Sequence, residues 1–212
     1  MFSLLNIHSK LICNFLSLFI LFFINFSSAA VITDSSAPNF ELTNSYGGDV
    51  SLESFKGSTV VLEWTNHDCP YVAKHYRSGN MQNTQDFAQK EQAIWITIIS
   101  SAPGTQGYVL PEEANHLTSS RKATPHHVLF DPEGTVGKMY GAKTTPHMYI
   151  IDSKGTLRYQ GAIDNAEKEF FKINDFSKSR NYVKEALKEI GLNKSVTNRT
   201  TKPYGCSVKY KS

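Results

Sequence analysis

The chain has 212 residues, 40% of them hydrophobic, enough for one domain with a buried core and too few for two comfortable ones. Its formal net charge of +3 is spread along the sequence rather than gathered into a basic block, which argues against a nucleic-acid partner.

In chain order, Lys10 precedes a largely apolar run from Leu11 to Ile24, and "NFSSAA" then ends in small residues. A positive start, a short apolar core and a small-residue end make a secretory signal, and the run is shorter than the ~20 residues of a membrane-spanning helix. Residues 1–30 are therefore expected to be a signal peptide cleaved near Ala30, leaving an exported protein, periplasmic or secreted. It would meet a membrane only if the signal stayed uncleaved. Cys13 would leave with the signal, so the mature chain would keep Cys69 and Cys206, which an oxidising compartment allows to pair.

A strand is predicted around Phe40 to Thr43, a turn at Gly47 and Gly48, a short turn or helix at Leu52 to Lys56, and a buried strand from Thr59 to Thr65. A helix should start at Pro70, where proline suits the first turn, and stop before Gly79 and Asn80. Ala93 to Ser100 is a second buried strand. Pro111 to Ala123 is a helix, with glutamates in its first turn and Arg121 and Lys122 in its last. "HHVLFD" is a strand, "PEGTVGKMYGA" a turn and short helix, "HMYIID" and "TLRYQGAI" two strands joined tightly, and "SKSRNYVKEALKEIGL" an amphipathic helix ending near Gly191. This alternation predicts an α/β fold with a mixed sheet covered on both faces, spanning residues 31–192. A polar tail over residues 193–212, carrying Cys206, should wrap over its surface.

Cys69 follows a buried strand and directly precedes a proline-started helix. Unpaired backbone N–H groups and the positive end of the helix dipole both favour the thiolate, which is the reactive form. The alternative is a permanent Cys69–Cys206 staple, which would stabilise the fold by about 5 kcal/mol on the chain-entropy model.

The segments "NHDCPYVAKHY", "GAKTTPHMYIID" and "KPYGCSVKY" together resemble the thioredoxin-like fold and, within it, the AhpC/TSA (redoxin) family, in particular a peroxiredoxin-like secreted or periplasmic branch. The resemblance implies that Cys69 is the attacking thiol and that Pro146 is the cis proline beside it. Thr145 would then offer its backbone to a substrate. It also implies a buried proton-moving acid at Glu63, a position where a water-facing edge carboxylate remains the alternative. Cys206 would act as resolving thiol, with a peroxide or protein disulfide as substrate, a thiol reductant as partner and no cofactor.

Several positions depart from that pattern. Val72 stands where thioredoxins carry their second cysteine, and Leu62 and Asn66 occupy the proline and threonine positions of P-x-x-x-T-x-x-C. Only Arg158 offers itself as a thiolate-activating arginine, at an unknown distance. Thiol-disulfide exchange without peroxidase activity therefore stays open. So does a non-catalytic module, or one that binds copper through Cys69 and some of His67, His75, His126, His127 and His147, although their spacing is not that of a metal site.

Overall fold

The computed structural model describes residues 31–211. The expected signal peptide lies outside them. In chain order the elements are β1 (Glu41–Thr43), β2 (Asp49–Ser51), β3 (Val60–Trp64), α1 (Pro70–Arg77), α2 (Asn80–Lys90), β4 (Ile94–Ile99), α3 (Pro111–Ser120), β5 (His127–Phe130), α4 (Thr135–Tyr140), β6 (Thr144–Thr145), β7 (His147–Ile151), β8 (Leu157–Gly161), α5 (Tyr182–Gly191) and β9 (Cys206–Ser207).

Five strands form one mixed sheet in the order β5-β4-β3-β7-β8. β3, β4 and β5 run parallel, so each step between them needs a helical crossover, supplied first by α1 and α2 and then by α3. β7 is antiparallel to both β3 and β8. Central β3 is buried at every position, which explains its unbroken run of large apolar residues.

Alternate residues of β3 feed two cores. Val60, Leu62 and Trp64 pack with Ile96, Ile98 and Tyr149 against Val136 and Tyr140 of α4. Val61 faces the other way, with Trp95, Met148 and Ile150, beneath Val72 and Tyr76 of α1, Met81 and Ala88 of α2 and Val183 and Leu187 of α5. Helices thus cover both faces, as the sequence predicts. Among the described residues no helix is long and apolar enough to cross a membrane.

Helix α3 ends at Ser120, leaving Arg121 and Lys122 beyond its last turn, and a larger departure from expectation is α2. The chain does not become irregular after Gly79; α2 begins at Asn80 and runs to Lys90. Gly79, at φ +76°, takes the left-handed turn between the two helices, a conformation that glycine adopts without steric cost. The inner face of α2 is largely polar, so it lacks an apolar stripe: Asn80, Thr84 and Gln85 are buried and hydrogen-bonded, Thr84 Oγ1 donating to Asn80 O at 2.8 Å and Gln85 Oε1 accepting from the Thr124 N–H at 2.9 Å.

The tail does wrap over the surface and is fastened at three places. The Gln160 N–H donates to Arg199 O at 2.9 Å and the Thr201 N–H to Gln160 O at 3.1 Å, extending the sheet beyond β8. β9 pairs antiparallel with β6, Thr144 opposite Ser207 and Thr145 opposite Cys206. Farther on, the Tyr210 hydroxyl donates to Ala142 O at 2.7 Å.

Candidate active site

β3 ends at Trp64, and a short loop returns the chain to α1. Asn66 shapes that loop: its Oδ1 accepts from the Asp68 N–H at 2.9 Å and its Nδ2 donates to Gln106 O at 3.1 Å. Cys69 is the residue capping α1, with Pro70 in the first turn as expected. Its side chain is fully buried.

Three groups meet the Cys69 sulfur. The thiol donates to Thr145 O at 3.1 Å, Cys206 stands opposite that same Thr145 in the β6–β9 pair, and the Val72 N–H at the open end of α1 is near enough, with Cys206, to act on its ionisation. Burial opposes ionisation of Cys69, but hydrogen bonding from Cys206 and the Val72 N–H, which favours the thiolate, outweighs it and lowers the pKa below that of an ordinary thiol. Burial first, and then the hydrogen bond and charge of Cys69, push the half-buried Cys206 thiol up to about 12. Of the two, Cys69 is the one that ionises. Both are free thiols.

The pairing depends on Gly205. Its φ is +142°, and a Cβ built there would stand 2.0 Å from Thr145 O, the same carbonyl that holds the Cys69 thiol. Only a residue without a side chain lets the tail come this close. Thr145 is itself buried, and its hydroxyl has no hydrogen-bond acceptor or donor beside the neutral thiol. It is available to a thiolate. The Thr145–Pro146 peptide bond is cis, as the resemblance implies.

Glu63 is fully buried, as expected of an acid on a central strand rather than an edge. Its carboxyl accepts from the Tyr76 hydroxyl at 3.0 and 3.1 Å, from Trp95 Nε1 at 3.0 Å and from Thr97 Oγ1 at 3.2 Å. Cys69 is not among these donors. Burial raises the Glu63 pKa against the pull of those hydrogen bonds. A carboxyl whose pKa is higher folded than unfolded adds stability below its unfolded value, near 4.5, and that stability is lost as pH rises through the folded value. Glu63→Gln is therefore expected to lose less stability than wild type as pH rises above 4.5, measured as urea midpoints. Parallel losses in the two proteins would contradict a buried, proton-retaining Glu63.

Arg158 does not reach the site. Its guanidinium pairs with Asp34 at 2.9 Å and Asp152 at 3.8 Å. A different arginine supports the active-site loop: Arg121, past α3, donates to His67 O at 3.2 Å and lies over the Tyr76 ring. The five histidines are not gathered around Cys69. His67 pairs with Asp68, His126 accepts from the Trp95 N–H, His127 packs on Phe55, His147 is shared by Lys143 and Tyr149, and His75 is buried beside Asn80. Among the described residues no group of three or more His, Cys, Asp or Glu side chains is arranged to hold a metal ion.

Comparison with known proteins bears on this geometry. The model of the AhpC/TSA family matches residues 33–160, more than half of the chain. No curated protein matches it by sequence. A hypothetical protein of Sinorhizobium meliloti shares the structure at a TM-score of 0.73, with 20% identity over 87% of this chain and 97% of the other. An uncharacterized conserved protein of Geobacillus kaustophilus follows at 0.70, with 23% identity over 85% and 93%. A suggested thiol:disulfide interchange protein, DsbE, of Chlorobium tepidum is similar at 0.50, with 22% identity over 62% and 85%. These likenesses establish the fold, which is thioredoxin-like.

Proposed function

The chain belongs to the AhpC/TSA family, and from that membership we propose that it is an exported thiol peroxidase of two-cysteine type, with Cys69 as the attacking thiol and Cys206 as the resolving one. The observation that carries this reading is the Cys206 thiol set against the Cys69 sulfur, both unbonded, with the pKa of Cys69 lowered and that of Cys206 raised.

The Cys69 thiolate attacks one oxygen of a hydroperoxide. The O–O bond breaks, Cys69 becomes a sulfenic acid, and the departing oxygen leaves as water or alcohol with the proton that Cys69 gave up. The Thr145 hydroxyl, unpartnered beside the thiol, donates to the thiolate and takes the role that Asn66 cannot fill in place of the family's threonine. Oxidation also changes Cys206. Once Cys69 carries no negative charge, its Coulombic hold on the Cys206 proton is lost. Cys206 becomes a better acid when its attack is required. Its sulfur then bonds to that of Cys69, the S–O bond breaks, and hydroxide leaves with the Cys206 proton as water. An external dithiol restores both thiols by two exchanges and is itself oxidised to a disulfide.

The position of β9 favours a small oxidant. The backbone of Thr145, which the resemblance assigns to an incoming chain, is already paired with Cys206, so a protein disulfide would have to displace the tail. A second reading, thiol-disulfide exchange alone, draws on Arg158, which is held by Asp34 and Asp152 and does not serve the thiolate. Export rests on the order of charge, apolar run and small residues before Val31.

Treating the reduced protein with one equivalent of hydrogen peroxide separates the readings. Peroxide loss with a mass decrease of two hydrogens and a Cys69–Cys206 cross-linked peptide is the expected result. Unchanged peroxide, together with mixed disulfides from a small disulfide reagent, would overturn the peroxidase reading in favour of the second.

A further inference from the structure

Beyond the thiol pair, a second set of buried polar groups joins the tail to α1. His75 on α1 is 0% exposed, Asp164 beyond β8 is 1% exposed, and Asn80 and Tyr204 are also buried. Asn80 Nδ2 lies 2.9 Å from both His75 Nδ1 and Asp164 Oδ2. The Tyr204 hydroxyl donates to Asp164 Oδ1 and lies 3.3 Å from His75 Nε2. The Ala166 N–H completes the set, donating to Asp164 Oδ1 at 3.0 Å.

The hydrogen-bonding inventory closes in one pattern. Asn80 gives one N–H to Asp164 and the other to His75 Nδ1; His75 is then neutral and donates from Nε2 to the tyrosine oxygen, which donates in turn to Asp164. Burial, helped by the charge of Lys74, lowers the His75 pKa to about 3, in keeping with a neutral ring. A circuit in which each buried group is satisfied is rigid, because breaking any link strands a polar group away from water.

Its place in the chain matters. His75 is six residues after Cys69 on the same helix, and Tyr204 is two residues before Cys206. Each cysteine is therefore a short covalent step from one end of a single hydrogen-bonded bridge. We propose that the Asn80–His75–Asp164–Tyr204 circuit is the positioning device of the resolving step, with Tyr204 the positioning residue that sets Cys206 against Cys69. The inference rests on Cys206 being the resolving thiol.

Tyr204→Phe removes the hydroxyl and keeps the ring, whose contacts with Tyr71 and Phe170 are edge-on at 5.9 and 5.6 Å. The test uses the reduced full chain as wild type, Tyr204→Phe and, as control, Lys202→Ala, which alters only an exposed ion pair with Glu167. Each receives one equivalent of hydrogen peroxide, is quenched with a sulfenic-acid trap, and is scored for trapped Cys69 against Cys69–Cys206 disulfide; thermal melting is recorded alongside. The expected result is a shift of about tenfold toward trapped sulfenic acid in Tyr204→Phe, within the range that small misplacements of reacting groups produce, and none in Lys202→Ala.

A lower melting temperature with the wild-type partition would overturn the positioning role and leave the resolving role of Cys206 intact. A folded wild type that forms no Cys69–Cys206 disulfide would overturn both. If Tyr204→Phe does not fold, Asp164→Asn, which sets an amide against the Asn80 amide, carries the same expectation and the same overturning result.

Discussion

Cys69→Ser is expected to end peroxide consumption, whereas Cys206→Ser is expected to keep the first turnover and lose the cycle. A serine hydroxyl at position 69 gains nothing useful from the Val72 N–H or the helix end, because it stays protonated far above the range in which a thiol of lowered pKa ionises. In Cys206→Ser, the sulfenic acid on Cys69 has no neighbour to attack it. An external thiol at millimolar concentration must then replace a group already in contact, and oriented neighbours act at effective molarities far above that. Disulfide-linked turnover should slow by at least about a hundredfold, and excess peroxide should carry Cys69 on to sulfinic acid. Peroxide loss and intact-protein mass, with and without a dithiol, measure both effects. Wild-type turnover in Cys206→Ser would remove Cys206 from the mechanism.

Gly205→Ala should produce nearly the same loss without touching either sulfur. The added methyl would meet Thr145 O at 2.0 Å, at a φ of +142° that alanine rarely adopts. The clash is with backbone, so no rotamer relieves it. β9 must then move off β6, taking Cys206 with it. Displacements of about 1 Å at reacting atoms cost on the order of a hundredfold, and the expected outcome is disulfide formation slowed by that amount with sulfenic acid accumulating. The fold itself should persist, since β6 and β9 form a separate two-stranded pair outside the five-stranded sheet. Stopped-flow measurement of disulfide closure checks this; closure at the wild-type rate would mean that the tail reaches Cys69 without the Thr145 contact.

These two variants also mark the limit of what the sequence discloses. Cys69, Pro70 and the strand before them were legible because a buried strand, a helix-starting proline and a lone cysteine are local signals. The edge-or-centre choice at Glu63 was not, because β3 becomes central only when β7 arrives far later in the chain to pair with it. Helix α2 was hidden because its inner face carries Asn80, Thr84 and Gln85, buried through hydrogen bonds that no periodicity reveals. Gly205 and Tyr204 read as ordinary tail residues; their roles come from Thr145, Asp164 and His75, none of them near in sequence. The available hydroxyl at Cys69 likewise comes from Thr145, across the fold, and not from the family's usual place three residues upstream.

The three-point fastening of the tail also bears on the energetics of the reductant. Docking contacts that hold Cys206 near Cys69 favour the disulfide over the two thiols and so lower the reduction potential of the pair. For this two-electron couple, each tenfold gain in local concentration shifts the potential by about 30 mV. On the proposed two-cysteine cycle, a reductant must therefore be correspondingly more reducing, or must first lift β9 from β6. Loosening the strap at Arg199–Thr201 or at Tyr210 would make the oxidised protein easier to recycle even as it slowed the formation of the disulfide.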